Sequence, residues 1–205
     1  MKPKFLLISL LLSCGVASAG EVFEDDFSDD QSGWPNTQVA DHNAIGIALY
    51  NGSGEYQMTP LDDATYGVLP APRQAKGGDV TVNAKVFLTT GVGVGAAGVV
   101  CRQKGNDNFY AFLVTGNHTW AISKMQAGTA TTLARGKFDG AMPNIADVEI
   151  TGNCQGSSLR MELDGSEVGR ASDEAFAMGE SGLIVLGEKT AGTSAVFDHF
   201  RLSDN

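Results

Sequence analysis

Three acids stand close together in Glu162-Leu163-Asp164-Gly165-Ser166-Glu167. A pair of carboxylates can hydrolyse a glycosidic bond, one as acid and base and the other as nucleophile, when they stand about 5–5.5 Å apart. Asp164-Gly165 is also a hairpin signal. It places Glu162 and Glu167 on different strands around a turn, with no aromatic residue beside them in sequence to support a sugar ring. The set is therefore expected to be structural, and no catalytic residue is assigned.

A recognition face is the better candidate. GVVCRQKGNDNFYAFLVTGNHTWAISKM, residues 98–125, holds three apolar runs at 98–103, 108–115 and 119–125. Lys104-Gly105-Asn106-Asp107 and Gly116-Asn117-His118 separate them, residues that tolerate positive φ or bond their own backbone. This predicts a three-stranded antiparallel meander. Side chains alternate between the faces of a strand, so Val100 shares a face with Arg102, Tyr110 with Phe112, and Trp120 with Ile122 and Lys124. If their more polar members line a concave sheet, Arg102, Tyr110, Trp120 and Lys124 form a shallow groove of rings and donors suited to a sugar or peptide. The competing expectation makes Tyr110 and Trp120 core residues and Arg102 a cover for the sheet.

Asp25, Asp26 and Asp198 suit calcium if the first and last strands pair; a solvated acidic edge is the competing reading. No other cofactor is expected. His42, His118 and His199 are scattered and lack metal-ligand spacing. Trp34, beside Pro35, is expected to pack as a lid over an edge of the fold, with ligand stacking as the minority alternative. GVGVGAAG at 91–98 reads as a glycine-rich loop. It lacks the Lys-Ser/Thr ending and following helix of a phosphate loop.

The elements that must position these groups are short strands. DVTVNAKVFLTT, residues 79–90, alternates with Val80, Val82, Ala84, Val86 and Leu88 on one face. Residues 21–28, 45–50, 55–59, 130–134, 145–151, 158–163, 167–171, 182–187 and 194–202 have strand lengths and are punctuated by Gly, Asp or Asn. Asn51-Gly52-Ser53-Gly54 marks a hairpin. The three prolines of 60–78 predict a loop or bent edge segment, and 173–178 alone has room for a helical turn. About a dozen strands and no internal repeat or linker predict one all-β domain, a two-sheet antiparallel sandwich.

The chain opens with Lys2 and Lys4, an apolar run at 5–12 and small residues ending Ala17-Ser18-Ala19. That pattern predicts a secretory signal peptide over 1–19, with residues 20–205 as a single domain. Leu11-Leu12-Ser13-Cys14 offers a second reading, a lipobox that would leave Cys14 as a lipid anchor. The expected location is periplasmic or secreted, or else membrane-anchored as a lipoprotein. No run is long enough to cross a bilayer. The net charge of −10 becomes −12 without the leader, which argues against nucleic acid as a partner. Cys101 and Cys154 remain. In an oxidising compartment two strand-borne cysteines invite a disulfide, although buried thiols that never meet fit the spacing as well.

FEDDFSDDQSGWP, ALYNGSGEYQM, the 98–125 stretch, CQGSSLRMELDGSEVGRASD, GLIVLG and VFDHFRL occur in that order. Together they resemble the concanavalin A-like lectin/glucanase superfamily, and more narrowly bacterial exported or tethered domains with a laminin-G-like jelly roll. The resemblance covers most of 22–202 and implies two stacked antiparallel sheets with a concave face. The acidic motif at 162–167 resembles that of laminarinase-like hydrolases, but its hairpin setting resembles the superfamily's non-catalytic domains. The favoured expectation is an exported, non-catalytic domain that binds carbohydrate or another cell-envelope component on its concave face. A glycan hydrolase or lyase, and an interaction domain without a small ligand, are the alternatives.

Overall fold

The computed structural model describes residues 20–36, 45–60, 66–89, 95–139, 145–187 and 193–205. The leader with Cys14, His42 and residues 91–94 lie outside them. Among the described residues there are fourteen strands and no helix. Among these residues no helix is long and apolar enough to cross a membrane.

Alternation decides what each strand buries. β5 (Val80–Thr89) sends Val80, Val82, Ala84, Val86 and Leu88 into the core and leaves Thr81, Asn83, Lys85 and Phe87 on the opposite face. It lies near the middle of an eight-stranded antiparallel sheet. On one side follow β10 (Ile145–Gln155), β11 (Ser158–Leu163) and β12 (Ser166–Ser172). On the other lies β14 (Ser194–Asp204), whose far edge is shared by β3 (Tyr56–Pro60), next to β2 (Ile45–Tyr50), and by β1 (Gly20–Asp25). First and last strands therefore pair, from Gly20 opposite Asp204 to Asp25 opposite Phe200.

The second sheet runs β4 (Tyr66–Pro70), β13 (Glu180–Leu186), β6 (Ala96–Gln103), β7 (Phe109–Thr115), β8 (Thr119–Gln126) and β9 (Thr129–Lys137). The expected meander is β6–β7–β8. Its inner side chains, among them Val99, Phe112, Val114 and Ile122, meet those of β5, β10 and β14 in one core. The other face of this sheet is apolar too, with Val68, Val100, Phe109, Ala111, Leu113 and Ile184 all buried. Polar side chains are thus concentrated on the outer face of the eight-stranded sheet.

Two local expectations are corrected and a third is made specific. Ala96, Ala97 and Gly98 are not loop but the start of β6. A Cβ on Gly98 would stand 1.9 Å from the carbonyl oxygen of Phe112, so glycine there permits the close approach of β7. Residues 173–178 form no helical turn, because Asp173 Oδ1 takes the Ala175 N–H instead. The proline-rich stretch contains an edge strand, β4, with Pro70 at its end, where a missing N–H is tolerated.

Candidate binding groove

The antiparallel register lines up outward side chains in rows across the eight-stranded sheet. One row runs Glu24, Arg201, Asn83, Thr151, Glu162, Glu167, each opposite the next on neighbouring strands. A second runs Ser203, Thr81, Asn153, Arg160, Arg170, and a third His199, Lys85, Glu149. Between β14, β5 and β10 these rows enclose an open groove of about 460 Å3, lined by Thr81, Asn83, Lys85, Glu149, Thr151, His199, Arg201 and Ser203.

Fixed hydrogen bonds orient the lining. Asn83 Nδ2 donates to Glu149 Oε1 at 2.7 Å and to Thr151 Oγ1 at 2.8 Å. Thr81 Oγ1 lies 2.7 Å from Asn153 Oδ1 and 2.8 Å from Asn205 Oδ1. Lys85 Nζ meets Asp198 at 2.9 Å, which holds its ammonium above the ordinary lysine range. Arg201 Nη2 meets Glu24 at 2.6 Å and holds that carboxyl below the ordinary glutamate range. Phe87 continues the outward side of β5 beyond Lys85 and is 36% exposed, a ring at one end of the polar floor. Toward the sheet edge, Asn153, Gln155, Ser158, Arg160 and Arg170 line a second hollow of about 320 Å3.

The meander residues expected to form the groove face the other way. Tyr110 is wholly buried and Trp120 is 7% exposed, both within the core between the sheets. The Trp120 ring lies between Gly136 of β9 and Gly169 of β12, where added Cβ atoms would stand 2.7 Å and 2.2 Å from it. The indole closes one edge of the sandwich and offers no platform. Arg102, 2% exposed, does not share the face of Val100. The pairing of β6 with β13 slips at this point and Arg102 takes φ 55°, a bulge that re-aims its side chain. Its Nε donates to the Gly78 carbonyl at 2.8 Å, and Nη1 to those of Gly156 at 2.7 Å and Phe176 at 3.0 Å. Nη2 meets Asp79 at 3.0 Å.

Lys124 is tied to Asp173, whose Oδ2 lies 2.6 Å from Nζ and whose Oδ1 accepts the Tyr110 hydroxyl at 2.6 Å. Burial acts to raise the Asp173 carboxyl, but the bonds from Lys124, Tyr110 and the Ala175 N–H outweigh it and hold the group below the ordinary aspartate range. Burial, then the bond to Asp173, pushes Tyr110 up to about 12. A carboxyl depressed by folding stabilises above its unfolded pKa, and that stability is lost as pH falls through the folded value. Asp173→Asn should therefore cost about 1–2 kcal/mol at pH 7, and the gap to wild type should close as pH drops below 3.8, the unshifted value. Urea unfolding at pH 7 and pH 3 measures both; a gap of the same size at the two pH values would refute the assignment.

The acidic candidates are occupied separately. Asp25 points inward, accepting the Phe27 N–H at 2.9 Å, the Ser32 hydroxyl at 2.5 Å and Trp34 Nε1 at 2.9 Å. Asp26 bonds Ser28, and Asp198 bonds Lys85. Among the described residues no three His, Cys, Asp or Glu gather as a metal-binding group. Trp34 is buried against Phe23, Phe27, Tyr56 and Phe200, the packing role expected of it.

Glu162 and Glu167 do lie on different strands, opposite one another, joined through Asp164 and Gly165 in the left-handed region. Arg160 sits 3.0 Å from Glu162, and Arg170 lies 2.5 Å from Glu167 and lowers its pKa. A general acid needs the opposite shift to carry a proton at neutral pH. Cys101 and Cys154 are joined as a disulfide between β6 and β10, one strand from each sheet.

No family model matches the chain, and no curated protein matches it. Solved structures do. A carbohydrate-binding module, CBM66 from Bacillus subtilis, aligns with a TM-score of 0.60 at 19% identity, over 84% of this chain and 92% of that one. A xylan beta-1,4-xylosidase from Bacillus halodurans C-125 aligns at 0.60 and 16% identity, over 88% of this chain but 39% of the enzyme. A Bacillus licheniformis beta-glucanase aligns at 0.53 and 13% identity, over 91% of this chain and 98% of that one. At these identities the likeness is one of fold, and the fold is the concanavalin A-like β-sandwich.

Proposed function

We propose that the chain is an exported carbohydrate-binding domain that holds a glycan against the outer face of its eight-stranded sheet. The observation that carries this reading is the groove across β14, β5 and β10. It is open, floored by polar side chains already oriented by their own hydrogen bonds, and flanked by the exposed ring of Phe87. Preoriented polar groups lose little freedom on binding a hydroxylated ligand, and a ring beside them suits the apolar face of a sugar. The likeness to a carbohydrate-binding module over 92% of its length supports the same reading.

Glycan-array binding by the purified protein tests it, with Asn83→Ala as the site variant. Binding to at least one glycan is expected, weakened about tenfold by Asn83→Ala, with the melting temperature of the variant within about 3 °C of wild type. Binding to no glycan would defeat the reading. The beta-glucanase likeness favours hydrolysis as the second reading. Release of new reducing ends from a bound glycan would install it.

A further inference from the structure

We infer that the groove takes an uncharged saccharide, read through its hydroxyl groups by Glu149, Asn83 and Thr151; this rests on the carbohydrate-binding reading above. Only the NH2 of an Asn side chain can face a carboxylate, so the 2.7 Å contact of Asn83 with Glu149 settles which way the amide points. Its second proton goes to Thr151 Oγ1 at 2.8 Å. That leaves Asn83 Oδ1 as an acceptor. Thr151 Oγ1 accepts from Asn83, so its own proton is available to donate. Glu149 retains its second oxygen. Two acceptors and a donor on adjacent strands match hydroxyl groups, each of which both donates and accepts.

Charge points to the same ligand class. The cations lining the groove are already matched. Lys85 lies 2.9 Å from Asp198 and 3.6 Å from Asp147. Arg201 lies 2.6 Å from Glu24 and 3.7 Å from Glu21, and the His199 ring, a cation only when protonated, also faces Glu24 at 3.4 Å. Glu149 takes part in no ion pair among the described residues. A uronate or sulfated sugar would bring its charge beside Glu149, with every neighbouring cation already committed to a carboxylate. A neutral sugar meets no such repulsion and needs no ion pair broken.

Affinity electrophoresis of the purified protein decides the matter, in gels containing neutral polysaccharides (xylan, β-glucan, fructan) or acidic ones (polygalacturonate, alginate). Retardation is expected in a neutral gel and absent from both acidic gels. Affinity should change by less than about twofold between low and high salt, because an uncharged ligand forms no ion pair for salt to screen. Glu149→Ala should weaken binding about tenfold or more while keeping a cooperative thermal transition. Retardation by an acidic polysaccharide in preference, or undiminished binding by folded Glu149→Ala, overturns the inference and leaves the carbohydrate-binding reading standing. Retardation by none of the five removes both.

Discussion

Arg102→Met should destabilise the protein by about 3–5 kcal/mol, lowering its melting temperature by roughly 10 °C for a domain of this size. The guanidinium is one of the largest fully buried side chains. It bonds the carbonyls of Gly78, Gly156 and Phe176, and the carboxylate of Asp79. These belong to three separate connections: the approach to β5, the turn between β10 and β11, and the segment ahead of β13. A methionine fills much of the same volume but supplies no donor, so the three carbonyls, as well as Asp79, lose this partner at once. Lysine should not rescue it, because a single ammonium cannot reproduce the planar fork that reaches all three. Differential scanning calorimetry of wild type, Arg102→Met and Arg102→Lys measures this. A melting temperature within about 2 °C of wild type for the methionine variant would mean that the three segments are held by something else.

The double variant Cys101→Ala, Cys154→Ala should lose about 4 kcal/mol, the loop-closure estimate for a bridge with a sequence separation of 53 residues. The bond joins β6 to β10, and so joins the two sheets rather than two neighbours within one. Both cysteines are wholly buried, so reductant should act only on molecules that have opened. Urea unfolding with and without reductant reads the difference as a shift in midpoint; an unchanged midpoint after complete reduction would refute it. Cys101 adjoins Arg102 in sequence, and Cys154 stands two residues from Gly156, one of the arginine's acceptors. Bridge and guanidinium therefore clamp the same seam, and the two losses should not add.

Much of the architecture was legible because it depends on local alternation. Asp79 to Thr90 announced β5, the turns at 104–107 and 116–118 announced the meander, and Asp164-Gly165 announced the β11–β12 hairpin. Tyr110 and Trp120, expected to line a groove, are buried instead, and the reason is physical. Aromatic residues mark both cores and sugar sites, and nothing in the spacing of Tyr110 and Trp120 says which side of a two-sided apolar sheet they occupy. Arg102 was misassigned because a bulge reverses the parity on which the face assignment rests. The groove itself is scattered through the chain: Asn83 and Lys85, then Glu149 and Thr151, then His199 and Arg201. Sheet order alone makes them neighbours. A signal was present in β5, whose polar positions 81, 83 and 85 share one face, but no local rule names the strands on either side of it.

The pairing of β14 also governs the order in which the molecule can fold. This last strand is interior to its sheet, bonded along one edge to β5 and along the other to β3 and β1. Until residues 194–204 are available, β5 has an open edge, β1 has no partner and the β2–β3 hairpin has no strand through which to join the sheet. The meander and the β10–β11–β12 run need no such partner and can form early from local contacts. The eight-stranded sheet must close late, through contacts between the two ends of the domain, a step that is intrinsically slow. A chain stopped short of β14 would retain two strand groups with exposed inner edges, the kind of species that aggregates rather than waits.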